Sequence, residues 1–141
     1  MSALMTCRSC MTNREGIVKA LKQLGVPEDK IQLAVGQALK LQGYGRQSAE
    51  VEILVANKDY HNGYSDFGFS KKDGEKEYDI HVDDMDDVGK LASKAGVKGK
   101  FSASVTKWYT AFMAQEALKK TGCYNTKIKA EGDKLVIHAQ G

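Results

Sequence analysis

The stretch FSASVTKWYTAFMAQEALKKTG, residues 101–122, predicts the longest helix of the chain and thereby the class of fold. Its large apolar side chains recur at three- and four-residue intervals, which places them on one face of a helix. These side chains are Phe101, Val105, Trp108, Tyr109, Phe112 and Met113. Two lysines and Gly122 favour a helix end, because cations and glycine suit a helix C-terminus. The pattern predicts a helix packed on a core.

Segments with the alternating pattern of strands lie on both sides of this helix. In AEVEILVA, residues 49–56, Val51, Ile53 and Val55 alternate with two glutamates, which is typical of a strand with one face in water. Further strands are predicted on either side of the loop KKDGEK and on either side of the turn EGD. Their sequences are YSDFGFS, EYDIHVD, YNTKIKA and KLVIHA. Residues 28–36 fit either a strand or another helical turn.

A second helix is predicted near the start of the chain, after a strand over residues 3–11. In TNRE, Thr12 as N-cap and Glu15 three residues later form a capping box, and Gly25 with Pro27 ends the helix. The order of elements predicts one α+β domain over residues 1–141, a mostly antiparallel sheet with two main helices packed on one face. The predicted core is Ile17, Leu21, Leu24, Val51, Ile53, Val55, Phe101, Val105, Trp108 and Phe112.

Length and composition indicate an ordinary soluble globular domain. The chain has 141 residues, of which 42% are apolar and 28% charged, and its net charge of +3 is too small to imply nucleic acid by itself. No apolar run approaches the roughly 20 residues of a membrane span, and the N-terminus lacks the features of a signal peptide. Three cysteines are an odd number, so we expect a reduced, intracellular protein, and we place it in the cytoplasm. No cofactor is expected.

Charge is concentrated in two adjacent blocks of opposite sign. Residues 73–87 hold eight acids and one lysine, whereas residues 88–115 hold five lysines and no acid. The acidic cluster Asp83, Asp84, Asp86 and Asp87 lacks the glutamate that an EF-hand needs at its twelfth position. It predicts a solvated loop whose carboxylates favour the start of a following helix.

Cys7 and Cys10 have the C-x-x-C spacing of zinc and dithiol sites. In a strand, however, their Cα atoms would lie about 10 Å apart, beyond the reach of a disulfide. A zinc site would need further ligands, and Cys123 and three histidines are isolated in sequence. We therefore predict no metal, a core Cys7 and an incidental Cys10, with a metal or thiol protein as the minor alternative.

Two segments are candidate binding sites. GYGRQ, residues 43–47, presents Tyr44 beside Arg46, a combination that can stack a base but can equally form a turn. AGVKGKFSAS, residues 95–104, places Lys98 and Lys100 before a helix start, where amides and positive charge attract anions. Glycines at 43, 45, 96 and 99 allow close approach of a ligand. We predict that the side chains of Tyr44, Arg46, Lys98 and Lys100 contribute to a contact site for an acidic partner.

No Ser–His–Asp set has a spacing that suggests nucleophilic catalysis, so the chain is predicted not to be an enzyme. The functional class that remains is a small non-enzymatic binding or adaptor protein. A protein partner is the first expectation, a nucleic acid is the alternative, and no membrane is expected.

Six stretches that cover nearly the whole chain carry a resemblance to a known family: MSALMT, ALKQLG, GYGRQSAEVEILV, YSDFGF, EYDIHVD and VTKWYTAFMAQEALKKTG. In their sequence and order they resemble the hypothetical chloroplast reading frame thirty-five family, a group of cyanobacterial and plastid proteins. The family has an aliphatic residue where Cys7 stands, which supports Cys7 as a core residue. A family histidine is replaced here by Phe112. The resemblance implies a fold and a class of protein, and it implies no reaction.

Overall fold

The computed structural model describes residues 2–139. Within that range the helices are α1 (Arg14–Gln23), α2 (Asp84–Val88), α3 (Lys90–Ala95) and α4 (Phe101–Lys120). The strands are β1 (Leu4–Arg8), β2 (Ile31–Leu33), β3 (Leu39–Gln42), β4 (Ser48–Val51), β5 (Ile53–Val55), β6 (Phe67–Ser70), β7 (Asp79–Asp83), β8 (Thr126–Glu131) and β9 (Lys134–Ala139). No helix of these residues is both long and apolar enough to span a bilayer.

Five strands form one antiparallel sheet in the order β1–β7–β6–β5–β2. Helices α1 and α4 pack on each other, and their apolar side chains share one buried cluster with one face of this sheet. The predicted α+β fold with a mostly antiparallel sheet is therefore confirmed. Nine of the ten predicted core side chains are buried, and the exception is Trp108, which is only partly buried against the cluster.

The opposite face of the sheet is covered by the β3–β4 hairpin. Leu41 and Val51 of the hairpin form a second buried cluster with Leu54 of β5. The prediction of one strand over residues 49–56 is wrong, because the chain leaves one sheet and enters another at Glu52. Gly68 of β6 lies beneath this hairpin, where an added Cβ would clash with the Ile53 carbonyl.

The start of α1 differs by one residue from the predicted capping box. Asn13, rather than Thr12, is the N-cap, and its side chain accepts a hydrogen bond from the Gly16 N–H at 2.9 Å. The backbone N–H groups of Thr12 and Asn13 both donate to the Tyr109 hydroxyl of α4, at 2.9 Å each. Thr12 is therefore held outside the helix by the contact between the two main helices.

The C-terminal hairpin β8–β9 is a separate two-stranded sheet that lies along α4. The Lys107 ammonium donates to the Asp133 carbonyl at 2.9 Å, and the Gln115 amide donates to the Thr126 hydroxyl at 2.9 Å. An isolated two-stranded hairpin is marginal in water, so its packing on α4 supplies its stability. Helix α4 consequently has two packed sides, one against the core and one against the hairpin.

Candidate binding site

Three lysines from three different segments line one cleft between α4, the α3–α4 loop and the turn of the β8–β9 hairpin. The cleft has a volume of about 300 Å³ and is lined by Lys98 of the loop, Lys107 of α4 and Lys134 of the hairpin. Trp108 and Asp133 also line it. We call this the lysine cleft. Lys98 was predicted as a binding residue, whereas the other two lysines were missed because they are distant in sequence.

The lysine cleft carries uncompensated positive charge. All three lysines are exposed, and none of the ion pairs formed within residues 2–139 involves them. The hydrogen bond from Lys107 goes to a backbone carbonyl and leaves its charge in place. Among the described residues that line the cleft, Asp133 is the one acid, against three lysines, so the net charge of the cleft remains positive. The surrounding sequence has the same sign, because residues 88–141 contain ten lysines and three acids.

Local backbone geometry places the lysines around the cleft. Helix α3 ends at Gly96 in the left-handed conformation, with φ at 69°, and the next N–H, of Val97, returns to the Ala92 carbonyl at 3.0 Å. This arrangement is typical of a glycine helix end, and it turns the chain so that Lys98 faces α4. On the other side, Gly132 has φ at 64° in the hairpin turn next to Lys134.

Trp108 separates the lysine cleft from a neighbouring cleft of about 400 Å³. The second cleft lies between α4 and β8 and includes Lys127 and Lys129 in its lining. The indole stands against the Phe112 ring, with centroids 5.6 Å apart and planes inclined by 33°. The prediction that Trp108 lies inside the core is wrong, because the side chain lies at the joint of α4 with the hairpin and lines both clefts.

The predicted anion site at the start of α4 is already filled by a carboxylate of the same chain. The Asp87 carboxylate accepts from the Ser102 N–H and from the Ser102 hydroxyl, both at 2.8 Å. Lys100 is the N-cap residue and its side chain makes no capping hydrogen bond. Because Asp87 caps the helix, an external anion has to bind through lysine side chains rather than through the helix end. Lys100 is exposed but is not part of the lysine cleft lining.

Three of the four acids in the acidic cluster are buried and Asp84 is partly buried, so the prediction of a solvated loop is wrong. Asp83, Asp86 and Asp87 are between 0% and 1% exposed. The Asp83 carboxylate caps α2 by accepting from the N–H groups of Met85 and Asp86, which agrees with the expected role at a helix start. The carboxylates are buried because each one satisfies backbone donors that would otherwise lack partners.

Asp86 holds the long loop between β5 and β6. Its carboxylate accepts from the backbone N–H groups of Tyr64 and Ser65 at 2.9 and 3.0 Å, and the buried His61 ring lies 3.4 Å away. Burial raises the pKa of Asp86, but the hydrogen bonds from His61, Tyr64 and Ser65 outweigh it and hold the pKa below its ordinary value of 3.8. Gly63 is required here, since an added Cβ would clash with this carboxylate.

Tyr44 and Arg46 lie in the tip of the β3–β4 hairpin and are exposed. Tyr44 makes an edge-on contact with Tyr64, with ring centroids 5.5 Å apart, and the two side chains are 51% and 47% exposed. Neither Tyr44 nor Arg46 belongs to the lysine cleft lining. The four predicted binding residues therefore divide between two surfaces, a tyrosine pair at the hairpin tip and lysines beside α4. Tyr64 was missed because only the fold brings it to Tyr44.

The cysteines show no pairing in the described part of the chain. Cys7 and Cys10 are exposed free thiols, and Cys123 is a partly exposed one. The prediction of a core Cys7 is wrong, because β1 is an edge strand and the helices do not cover this position. Within residues 2–139 no group of three or more His, Cys, Asp or Glu side chains is placed to hold a metal ion.

His81 is the centre of a hydrogen-bonded group on the sheet. Its two ring nitrogens lie 2.6 Å from the Ser70 hydroxyl and 3.0 Å from the Thr6 hydroxyl. Burial lowers the pKa of His81 below 6.5, and Asp79 opposes this effect. The group differs from a catalytic triad, in which a carboxylate orients the imidazole, because a threonine hydroxyl occupies that place.

Comparison of the chain with protein-family models, curated proteins and solved structures gives no match. The resemblance to the chloroplast reading frame family stays a prediction.

Proposed function

We propose that this protein is a non-enzymatic binding module that docks an acidic macromolecule on the lysine cleft. The observation that carries the proposal is the convergence of Lys98, Lys107 and Lys134, from three segments, on one cleft without a carboxylate partner for any of them. Uncompensated like charges repel one another, and a bound polyanion relieves that repulsion. The proposal places the protein in the cytoplasm, where the exposed thiols of Cys7 and Cys10 stay reduced.

The test is calorimetric titration with inorganic polyphosphate, a polyanion that has no other recognition feature. We expect binding at low salt that weakens as salt rises, since counterions are released when lysines neutralise phosphates. The variant with Lys98, Lys107 and Lys134 all changed to glutamine should bind at least tenfold more weakly, because three contacts to phosphates are lost. Its affinity should also depend less steeply on salt, because fewer counterions are released.

The matched control has Lys40, Lys58 and Lys72 changed to glutamine. These lysines are exposed and lie outside the lysine cleft. Changing them lowers the net charge of the protein by the same amount as changing the three cleft lysines. The control should bind polyphosphate nearly as well as the wild type. Equal weakening in both variants would mean that total charge, rather than the cleft, governs binding, and the proposal would be rejected.

A second surface is favoured by the Tyr44–Tyr64 contact. Tyrosine and arginine are enriched in protein interfaces, and here the half-exposed Tyr44 of the hairpin tip contacts the half-exposed Tyr64, while Arg46 is an exposed residue of the same tip. We infer an adaptor role in which this tip contacts a protein while the lysine cleft holds the acidic partner. A protein captured in stoichiometric amount by the wild type should be lost with Tyr44→Ala and Arg46→Ala together. Its retention by that variant would remove the second surface from the proposal.

A further inference from the structure

We propose that the acidic partner is a single-stranded nucleic acid and that one of its bases stacks on Trp108. This inference rests on the proposed binding function of the lysine cleft and adds the class of ligand. The indole is partly exposed and lines both the lysine cleft and the neighbouring cleft between α4 and β8. A ligand that occupies both clefts therefore passes over the tryptophan.

The charges lie on both sides of the indole. Lys98, Lys107 and Lys134 line the cleft on one side, and Lys127 and Lys129 line the cleft on the other side. This arrangement suits a chain of regularly spaced phosphates with an aromatic ring attached to each unit. Proteins that bind single strands without strong sequence preference combine a positive groove for the backbone with aromatic side chains on which bases stack.

A double helix does not fit this arrangement equally well. Its base faces are covered by the neighbouring base pairs, so only the phosphates of a duplex would reach the lysines and the indole would gain no partner. An acidic peptide would likewise satisfy the lysines and leave the indole without a stacked ring. Contact with Trp108 is consequently the feature that distinguishes a single strand from the other polyanions.

The chain contains a single tryptophan, so its fluorescence reports on Trp108 alone. We would titrate an oligothymidylate of about 12 nucleotides, a length within the usual site sizes of single-strand binding folds. The comparison ligands are an abasic strand of the same length, the corresponding duplex and an oligoglutamate. The expected result is saturable quenching by the oligothymidylate and little quenching by the others. Affinity for the oligothymidylate should exceed that for the abasic strand by about 5- to 100-fold.

Two variants link the effect to the indole. Trp108→Phe keeps an aromatic ring on which a base can stack, so it should retain most of the preference for the oligothymidylate over the abasic strand. Trp108→Leu should lose that preference, so that it binds the oligothymidylate and the abasic strand with similar affinity. Affinities for both variants are measured by anisotropy of labelled strands, and circular dichroism first shows that each one is folded.

The possible outcomes separate this inference from the proposed function. If the oligothymidylate and the abasic strand bind equally without quenching, the base-stacking inference is overturned and the proposed function stands. Tighter binding of the duplex or of oligoglutamate than of the oligothymidylate would also overturn it. If none of the polyanions binds at low salt, the proposed function itself fails.

Discussion

Replacing Asp86 by alanine removes a carboxylate that ties α2 to the loop between β5 and β6. The residue is 0% exposed, and its carboxylate oxygens accept from two backbone N–H groups, those of Tyr64 and Ser65. Alanine leaves both donors buried without an acceptor, and each such donor costs about 1 to 3 kcal/mol. We therefore expect a loss of about 2 to 6 kcal/mol in the free energy of unfolding, which corresponds to roughly 7 to 20 °C in Tm.

The assay is urea denaturation at pH 7, followed by circular dichroism. Asp73→Ala is the matched control, because Asp73 is an exposed acid in the β6–β7 loop. Asp86→Asn keeps the shape of the side chain and separates the loss of charge from the loss of volume. A decrease of less than about 1 kcal/mol in the free energy of unfolding for Asp86→Ala would refute the reasoning, because two buried N–H groups without an acceptor should destabilise the fold by more than that.

The same variant predicts a pH dependence. The pKa of Asp86 in the folded protein lies below the value of 3.8 that it has without folding. The ionised carboxylate therefore contributes stability that is fully present well above pH 3.8 and is lost as pH falls through the folded pKa. The difference in stability between wild type and Asp86→Ala should shrink below pH 3.8. A difference that stays constant or grows on acidification would contradict the assignment.

Further predictions concern other parts of the fold. Gly68→Ala should destabilise by more than about 1 kcal/mol in urea, because its Cβ would clash with a strand carbonyl. The pKa of His81, measured by NMR, should lie below 6.5, and a pKa above 6.5 would contradict the burial of its neutral ring. Because the folded protein holds the ring neutral, the free energy of unfolding should fall as pH drops below 6.5. Trp108→Ala should lower the free energy of unfolding in urea by about 2 kcal/mol, less than the roughly 3 to 5 kcal/mol that truncation of a fully buried aromatic residue costs. Changing Cys7 to alanine and Cys10 to serine should leave polyphosphate binding unchanged. Stoichiometric zinc in the wild type that is absent from this variant would contradict the prediction that the two cysteines bind no metal.

Local patterns in the sequence were sufficient to predict the fold class. Helical spacing identified α4, and alternation identified β6, β7 and the C-terminal hairpin, because these patterns depend only on which side chains face a core. Alternation failed at residues 49–56, where Leu54 occupies a position that the pattern assigns to water. The β3–β4 hairpin covers that face, and such a distant cover leaves no trace in local spacing.

The site was predicted less well because it depends on contacts between distant segments. Trp108 fits the apolar stripe of α4 by spacing, yet the hairpin that follows creates a second packed side of the helix and places the indole there. Asp87 occupies the helix start at which Lys98 and Lys100 were expected to attract an anion. Lys98, which was predicted as a binding residue, is exposed and lines the cleft, but its neighbours there come from elsewhere in the chain.

Chemical-shift mapping tests the lysine cleft most directly. Uniformly ¹⁵N-labelled protein is titrated with inorganic polyphosphate at low salt, and amide shifts are followed along the whole chain. The expected result is that the largest changes fall on the residues that line the cleft, which are 96–98, 104, 107, 108, 130 and 132–135. Changes confined to the hairpin tip around Tyr44 and Arg46, or spread evenly over all exposed lysines, would contradict the lysine cleft as the binding site.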